Sequence, residues 1–190
     1  MSSGTGSPVK IHILVEDYAR KRGFLGQHGF SALVEVCEPS GPVRVLVDTG
    51  QDASVVLANA ERLGLSLSNL DAILITHGHY DHAGGLFELL ERTGPRGVLV
   101  VMHPDALKPK LAMRPHLRSI GVPGLTKSAM EERGAIPVLS RGPVRISSSV
   151  LATGEIERRT EFERVEGFYT LGPDGLEEDR LMDDQALVVR

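Results

Sequence analysis

An α/β fold built in layers is the class the sequence predicts, and three observations predict it. Short β-branched runs alternate with segments whose apolar residues recur at helical spacing. The first hundred residues run strand, strand, strand, helix, strand, loop, helix, strand. The composition of the 190-residue chain, 41% hydrophobic and 24% charged, supplies a core for one domain or slightly more.

The small, polar opening MSSGTGSP reads as a disordered tail over residues 1–8, leaving one domain over 9–190. VKIHILVE (9–16) reads as a strand in which His12 alternates, and the glycine-rich, charged DYARKRGFLGQHG (17–29) as a loop. FSALVEVCE (30–38) alternates toward a second strand, which PSGP turns. VRVLVDTG (43–50) is nearly continuous in apolar, β-branched residues, the mark of a strand covered on both faces, and the three strands form a meander. In QDASVVLANAERLGLSLSNL (51–70), Val56, Ala60 and Leu63 share one face, and Gly64 stands where a helix-ending glycine belongs. DAILIT (71–76) is a short buried strand. Leu86, Leu89 and Leu90 make the stripe of a second helix that ends near Gly94-Pro95, and GVLVVMHP (97–104) is a further strand. Prolines at 104, 109, 115 and 123 interrupt the next stretch, which leaves short helices around 104–111 and 126–133. AIPVLS, GPVRIS, SSVLATG and DQALVVR (184–190) read as short strands.

The bulk chemistry removes several functions. A net charge of -4, 4% aromatic residues and no Trp argue against a nucleic-acid surface. The single Cys37 allows neither an internal disulfide nor a thiolate cluster, and its apolar run reads it as a buried, inert thiol. The apolar run IHILV is too short for a signal-peptide core or a membrane span. A cytoplasmic protein with a small-molecule substrate, no nucleic acid and no membrane is the expectation.

DAILIT delivers the chain into THGHYDHAGGL (76–86), where His77, His79, Asp81 and His82 fall within six positions. The intervening Gly78 lets the first two imidazoles point the same way into a cleft. Asp81 and His82 stand just beyond, at the entrance of a helix. Imidazole and carboxylate are the ligand set of zinc, with iron or manganese as alternatives. Four such groups can serve two ions, two to each. Gly84 and Gly85 let the backbone turn tightly and pack close to this loop.

H-x-H-x-D-H followed by Gly-Gly, behind a buried strand and downstream of VDTG (47–50), resembles the metallo-β-lactamase superfamily. The resemblance implies an αββα sandwich with its metal site at one edge, of which this sequence carries the N-terminal half to two-thirds. It implies two Zn2+ ions, one on His77 and His79 and one on Asp81 and His82. It also implies Asp48 as a residue that braces the metal loop by hydrogen bonds, although by position alone Asp48 equally suits a helix cap. HGFSALVEV, LVDTG, LSNLDAILITHGHYDHAGGL, MHPDAL, TGEIERRTEFE and DDQALVV together are similar to one branch of the superfamily. That branch is labelled 7,8-dihydropterin-6-methyl-4-(β-D-ribofuranosyl)aminobenzene 5′-phosphate synthase, and the label implies pterin transfer.

The family's further ligands, a histidine, a bridging aspartate and a last histidine, come later in its pattern. In the branch the next one follows the strand that DQALVV begins, whereas this sequence ends at Arg190 and has no histidine after His116. A partial site, a C-terminally truncated domain and self-association into a homo-oligomer through uncovered apolar surface are therefore expected. His28, flanked by glycine, is a possible pocket residue. His103, at the end of VLVVMHP, is another, or a makeshift ligand if its strand parallels DAILIT. His116 reads as a surface residue, and the basic residues around it, Lys108, Lys110, Arg114 and Arg118, as a solvated face rather than an anion site. In TGEIERRTEFE, Glu155 and Arg158 could line a pocket, with an arginine holding a phosphate, or could belong to a surface charge run.

The functional expectation is a metal-dependent hydrolase or transferase acting on a small phosphorylated or pterin-like substrate. In it Asp81 binds metal and orients the attacking water. The alternative is a catalytically incompetent half-domain with a partial metal site, a binding or assembly module. Acidic balance and few aromatics disfavour a nuclease, and the lack of a flavin domain disfavours a flavodiiron redox site.

Overall fold

The computed structural model describes residues 8–94 and 97–190. The polar opening, where a tail is expected, lies outside the described residues apart from Pro8, and so does Pro95. Strands β1 (Val9–Val15), β2 (Ser31–Glu38) and β3 (Gly41–Val47) form the expected antiparallel meander, with Ile11 opposite Val34 and Leu33 opposite Leu46. Helix α1 (Ala53–Arg62) begins at Asp52, whose carboxylate accepts the Ser54 N–H. Strand β4 (Ala72–Leu74) is followed by the histidine loop, the single-turn α2 (Tyr80–Ala83) and α3 (Leu86–Thr93), which Gly94 ends in the left-handed conformation. Next come β5 (Leu99–Met102), the two-residue strands β6 (Leu111–Ala112) and β7 (Arg118–Ser119), α4 (Lys127–Glu132) and β8 (Ile136–Leu139). The chain finishes with β9 (Val144–Arg145), β10 (Val150–Ala152), β11 (Phe168–Gly172), β12 (Gly175–Glu178) and β13 (Leu187–Val189).

The main sheet has the order β1-β2-β3-β4-β5-β8, and its last three neighbour pairs are parallel. Alternation along each strand divides its side chains between two cores. Leu33, Leu46, Ile73, Val100 and Met102 face the helices, packing with Val56, Ala60, Leu86, Leu89 and Leu90. Val34, Val45, Val47, Ala72, Leu74 and Val101 face a second sheet of order β13-β10-β9, meeting Val150, Ala152, Leu187 and Val189. Helix, sheet, sheet is three layers of the expected αββα sandwich. A third sheet, β12-β11-β6-β7, closes over the histidine loop through a bridge between His79 and Gly121 and contact of the His79 ring with Phe168.

Four departures from expectation have physical causes. The helix expected over 104–111 is one 3-10 turn, Pro104–Leu107, because Pro109 restricts the residue before it. The β11–β12 hairpin, unforeseen, turns at Gly172-Pro173-Asp174-Gly175, a turn sequence between the short, uncharged FYTLG and the acidic GLEE, which carries little apolar alternation. Cys37, expected buried, is exposed. It lies on the same face as Leu33 and Glu35, and cover on that face thins from fully buried Leu33 to half-buried Glu35 to open Cys37. Lys110, expected on a solvated face, is 2% exposed. His116 is exposed, and no helix among the described residues is long and apolar enough to cross a membrane.

The two stacked sheets are tied at one corner by Glu38, at the end of β2. Its carboxylate accepts the hydroxyls of Ser147, Ser148 and Ser149 and the Ser149 N–H at 2.9 Å. The Ser147, Ser148 and Ser149 hydroxyls hold this carboxyl well below its usual 4.5, at about 2. A depressed carboxyl stabilises the fold fully above its unfolded value and loses that contribution as pH falls through the folded one. Melts between about pH 6 and pH 3 should therefore show an acid-side loss of stability that Glu38→Gln flattens. Parallel acid limbs in the two proteins would exclude this clamp as a source of acid sensitivity.

Candidate metal centre

The loop between β4 and α2 is organised by a buried carboxylate from the neighbouring strand. Asp48, 1% exposed, follows β3 with a φ of 56°. Its Oδ1 accepts the Thr76 N–H at 2.7 Å, and its Oδ2 accepts the Thr76 hydroxyl at 2.8 Å and His82 Nδ1 at 2.7 Å. The Thr76 hydroxyl oxygen in turn lies 3.1 Å from His77 Nδ1. Because Thr76 gives its proton to Asp48, its oxygen accepts from His77, and the network puts a proton on Nδ1 of both rings. His77, as a neutral ring, keeps its Nε2 lone pair, whereas His82 has one only when its Nε2 proton is lost. One carboxylate thus orients His82 directly and His77 through Thr76. The α1 cap is Asp52, so the capping alternative for Asp48 does not apply.

His77 lies at the centre of the cluster, its ring centroid 4.6 Å from that of His79 and 4.1 Å from that of His82. His79 is 7% exposed, and its Nε2 is the one buried side-chain polar atom among the described residues without a hydrogen-bond partner. Such orphans are rare in native folds and call for a reason. Asp81 Oδ2 stands 3.4 Å from His82 Nε2 and 3.5 Å from His28 Nε2, while His28 Nδ1 is 3.1 Å from Asp17. Gly84 and Gly85 make the close approach expected of them: a side chain on Gly85 would meet the Thr49 carbonyl oxygen at 2.3 Å.

Burial drives His77 down to about 3, helped by the charges of His82 and His79, and burial likewise lowers His79. Burial opposes charge on His82 too, but hydrogen bonds to Asp48 and Asp81 outweigh it and hold that ring up at about 9. Burial works against the Asp81 carboxylate as well, yet the adjoining His82 brings it down to about 2. The cluster therefore holds two neutral imidazoles beside an ionised carboxylate and a cationic ring.

Neutral imidazoles and carboxylates are donors of the type zinc takes. The orphaned His79 Nε2 next to His77 is the feature that fits an absent ion best. Among the described residues, however, no group of three or more His, Cys, Asp or Glu side chains is arranged to hold an ion.

Residues 29–176 match the family described as the metallo-beta-lactamase superfamily. The chain belongs to the metallo-beta-lactamase superfamily. It is 32% identical over 195 residues to the 7,8-dihydropterin-6-methyl-4-(beta-D-ribofuranosyl)-aminobenzene-5'-phosphate synthase of Methanocaldococcus jannaschii, covering 100% of this chain and 66% of that protein. A solved structure described as Tm1679, a metal-dependent hydrolase of the beta-lactamase superfamily, superposes with a TM-score of 0.73 at 30% identity, over 96% of this chain and 62% of that one. A shorter match of 61 residues, 49% identical, links 32% of the chain to 21% of the hydroxyacylglutathione hydrolase of Chromohalobacter salexigens. This chain thus spans slightly under two thirds of the length of its first two relatives.

Beside this superfamily motif stand residues that sequence reading did not assign to the site. Asp183, Asp184 and Gln185 clip onto the metal loop and the strand before it. Asp183 Oδ2 accepts the Gly78 N–H at 2.9 Å, Asp184 Oδ1 lies 3.7 Å from His77 Nδ1, and Gln185 donates to the carbonyls of Ile75 and Thr76. The Asp-Asp-Gln run was visible as a branch motif, but nothing local to it points to a loop more than one hundred residues earlier. Thr76 was equally in view, as the residue that opens the motif.

Other sequence candidates lead elsewhere. β4 and β5 are parallel, as the reading of His103 required, yet that ring is 1% exposed and both its nitrogens are engaged. Nε2 is 2.9 Å from Glu155, and Nδ1 accepts the Asp105 N–H at 3.0 Å, so no lone pair is left for an ion. Glu155 is shared with Arg141 at 2.6 Å. Arg158 donates to the carbonyls of Glu163 and Leu181 and to Asp184 Oδ2, and so anchors protein groups around the loop.

Proposed function

We propose that this chain carries the metal-binding part of a metal-dependent hydrolase or transferase that acts on a small phosphorylated or pterin-like substrate. The observation that carries the reading is the buried, unpartnered Nε2 of His79 beside His77, in a loop that also brings in Asp81 and His82. His77 and His79 would hold one ion, and Asp81 and His82 a second, with Zn2+ first by donor type and iron or manganese next. A bound divalent ion supplies Lewis acidity to the electrophile's oxygen. Asp48 and Thr76 fix a proton on Nδ1 of His82 and of His77, so the Nε2 of His77 is open to an ion and that of His82 becomes so when the ion displaces its proton. Asp81 is the residue assigned to catalysis, directing the attacking water, and His28 stands beside it at 3.5 Å.

The substrate class draws support from the cavity next door. About 550 Å³ is lined in part by Arg158, Arg164 and Arg180 together with Glu157, Glu166 and Glu178. One lining residue, Arg158, pairs with Asp184, whose other carboxylate oxygen lies 3.7 Å from His77. Arginines suit phosphate oxygens, and the mixed charges suit hydrogen-bonding heterocycles. The printed name of the Methanocaldococcus jannaschii relative points the same way.

A second reading has its own observation. The absence, among the described residues, of any three-ligand group favours a catalytically incompetent half-domain with a partial metal site. Metal content per chain, measured by plasma emission on protein purified without chelator, separates the two. Stoichiometric metal in the wild type, falling to background in His77→Ala/His79→Ala, is the expected outcome. It would justify assays on phosphate esters and pterins. Wild-type protein with background metal would leave only the half-domain reading.

A further inference from the structure

Among the described residues, the largest fully buried side chain is a lysine. Lys110 Nζ donates to Asp179 Oδ2 and to Asp183 Oδ1, each at 2.8 Å, and both carboxylates are themselves buried. Taking an ammonium and two carboxylates out of water is costly, and apolar residues of similar volume often stabilise as well or better. Such a group needs a reason beyond stability, and its contacts supply one. The second oxygen of Asp183 accepts the N–H of Gly78, the residue between His77 and His79. The stem of Lys110 packs against Gly121, where an added side-chain carbon would come within 3.3 Å of it, and Gly121 is the bridge partner of His79. The Lys110 carbonyl accepts the Ile120 N–H at 2.8 Å, and the Ile120 carbonyl accepts the Tyr80 N–H at 2.8 Å. One residue thus reaches three consecutive positions of the loop, 78, 79 and 80.

We infer that Lys110, acting through Asp183, is a positioning residue for the metal loop: it fixes the backbone between His77 and His79 and so the mutual orientation of their rings. The inference rests on the proposed metal reading for its purpose, but its geometry is independent of any ion. Lys110 Nζ faces the two carboxylates of Asp179 and Asp183, and no other charged group is within hydrogen-bond reach of it among the described residues. Asp179 takes the second arm and has no bond to the loop, since its Oδ1 accepts the Leu181 N–H.

Two readouts on the same variants test this. The first is amide hydrogen exchange in chelator-treated protein. The second is Co(II) titration followed by the visible spectrum. Lys110→Met should speed exchange at Gly78 by about tenfold or more while leaving Tyr80, held through the backbone, near its wild-type rate. Co(II) affinity should fall about 10–100-fold with an altered spectrum, as with other groups that orient ligands, and Lys110→Arg should recover part of both. Asp183→Ala cuts the link to Gly78 yet leaves Lys110 paired with Asp179, so it reports the same effect should Lys110→Met fail to fold. Asp179→Asn should leave Gly78 exchange close to wild type. Unchanged Gly78 exchange in Asp183→Ala, or equal acceleration at Gly78 and Tyr80, would overturn the inference. A wild type that takes up no Co(II), with Gly78 alone accelerated in the variants, would keep the clamp and remove the metal reading.

Discussion

Asp48→Ala is expected to destabilise the metal-free protein by about 3 to 5 kcal/mol and to weaken divalent-ion binding about 10–100-fold. The carboxylate is buried and takes three donors, the Thr76 N–H, the Thr76 hydroxyl and His82 Nδ1–H. Alanine cannot replace any of them, and each donor left unsatisfied in a buried site costs about 1 to 3 kcal/mol. The effect on metal has a separate origin. Without Asp48 the His82 ring can turn or change tautomer, and the Thr76 hydroxyl no longer fixes the His77 proton. Asp48→Gly makes the comparison sharper. The φ of 56° is uncommon for a residue with a side chain, so glycine relieves the backbone while still deleting the acceptor. Both variants should therefore lose metal affinity, with glycine recovering some stability. Denaturant melts in chelator and calorimetric zinc titrations measure the two effects. Wild-type affinity in Asp48→Ala would remove Asp48 from any part in orienting ligands.

Gly78→Ala is expected to damage both stability and the metal loop, for a steric reason. The backbone here is not left-handed, so glycine is required by close approach alone. An added Cβ would sit 2.3 Å from the Ala106 carbonyl oxygen and 2.9 Å from the Ala106 Cα, and backbone atoms cannot step aside as a side-chain tip can. The loop must move instead, which breaks the bond from Gly78 N–H to Asp183 and separates His77 from His79. A loss of roughly 2 to 3 kcal/mol follows from overpacking of this kind. Metal content should drop, with the His77/His79 pair affected first. Gly142→Ala, where an added Cβ meets nothing within 4 Å, is the control and should stay within about 0.5 kcal/mol of wild type. Equal stability and metal content in Gly78→Ala and Gly142→Ala would mean that the loop tolerates the shift.

The sequence by itself determined what is local. Strand periodicity, the α1 stripe with Gly64 behind it and the approach of β4 to the histidines could all be read along the chain, because each repeats or terminates within a few residues. So could the ligand types, since His77, His79, Asp81 and His82 stand within one short loop. Asp48 carried a signal as part of VDTG, although its position alone left a helix cap open. What only the tertiary structure decided is which distant groups this loop meets. Lys110 looked like one more cation in a basic surface stretch, and it became the buried partner of Asp179 and Asp183, 69 and 73 positions away. Asp183 reaches Gly78 across 105 positions. His103 looked available at a strand end until Glu155, 52 positions on, took its free nitrogen. Cys37 looked buried because its neighbours are apolar, but alternation puts it on a face whose cover runs out before the strand does. Burial and partnership depend on which layers stack and where they end, and sheet order and register fix those.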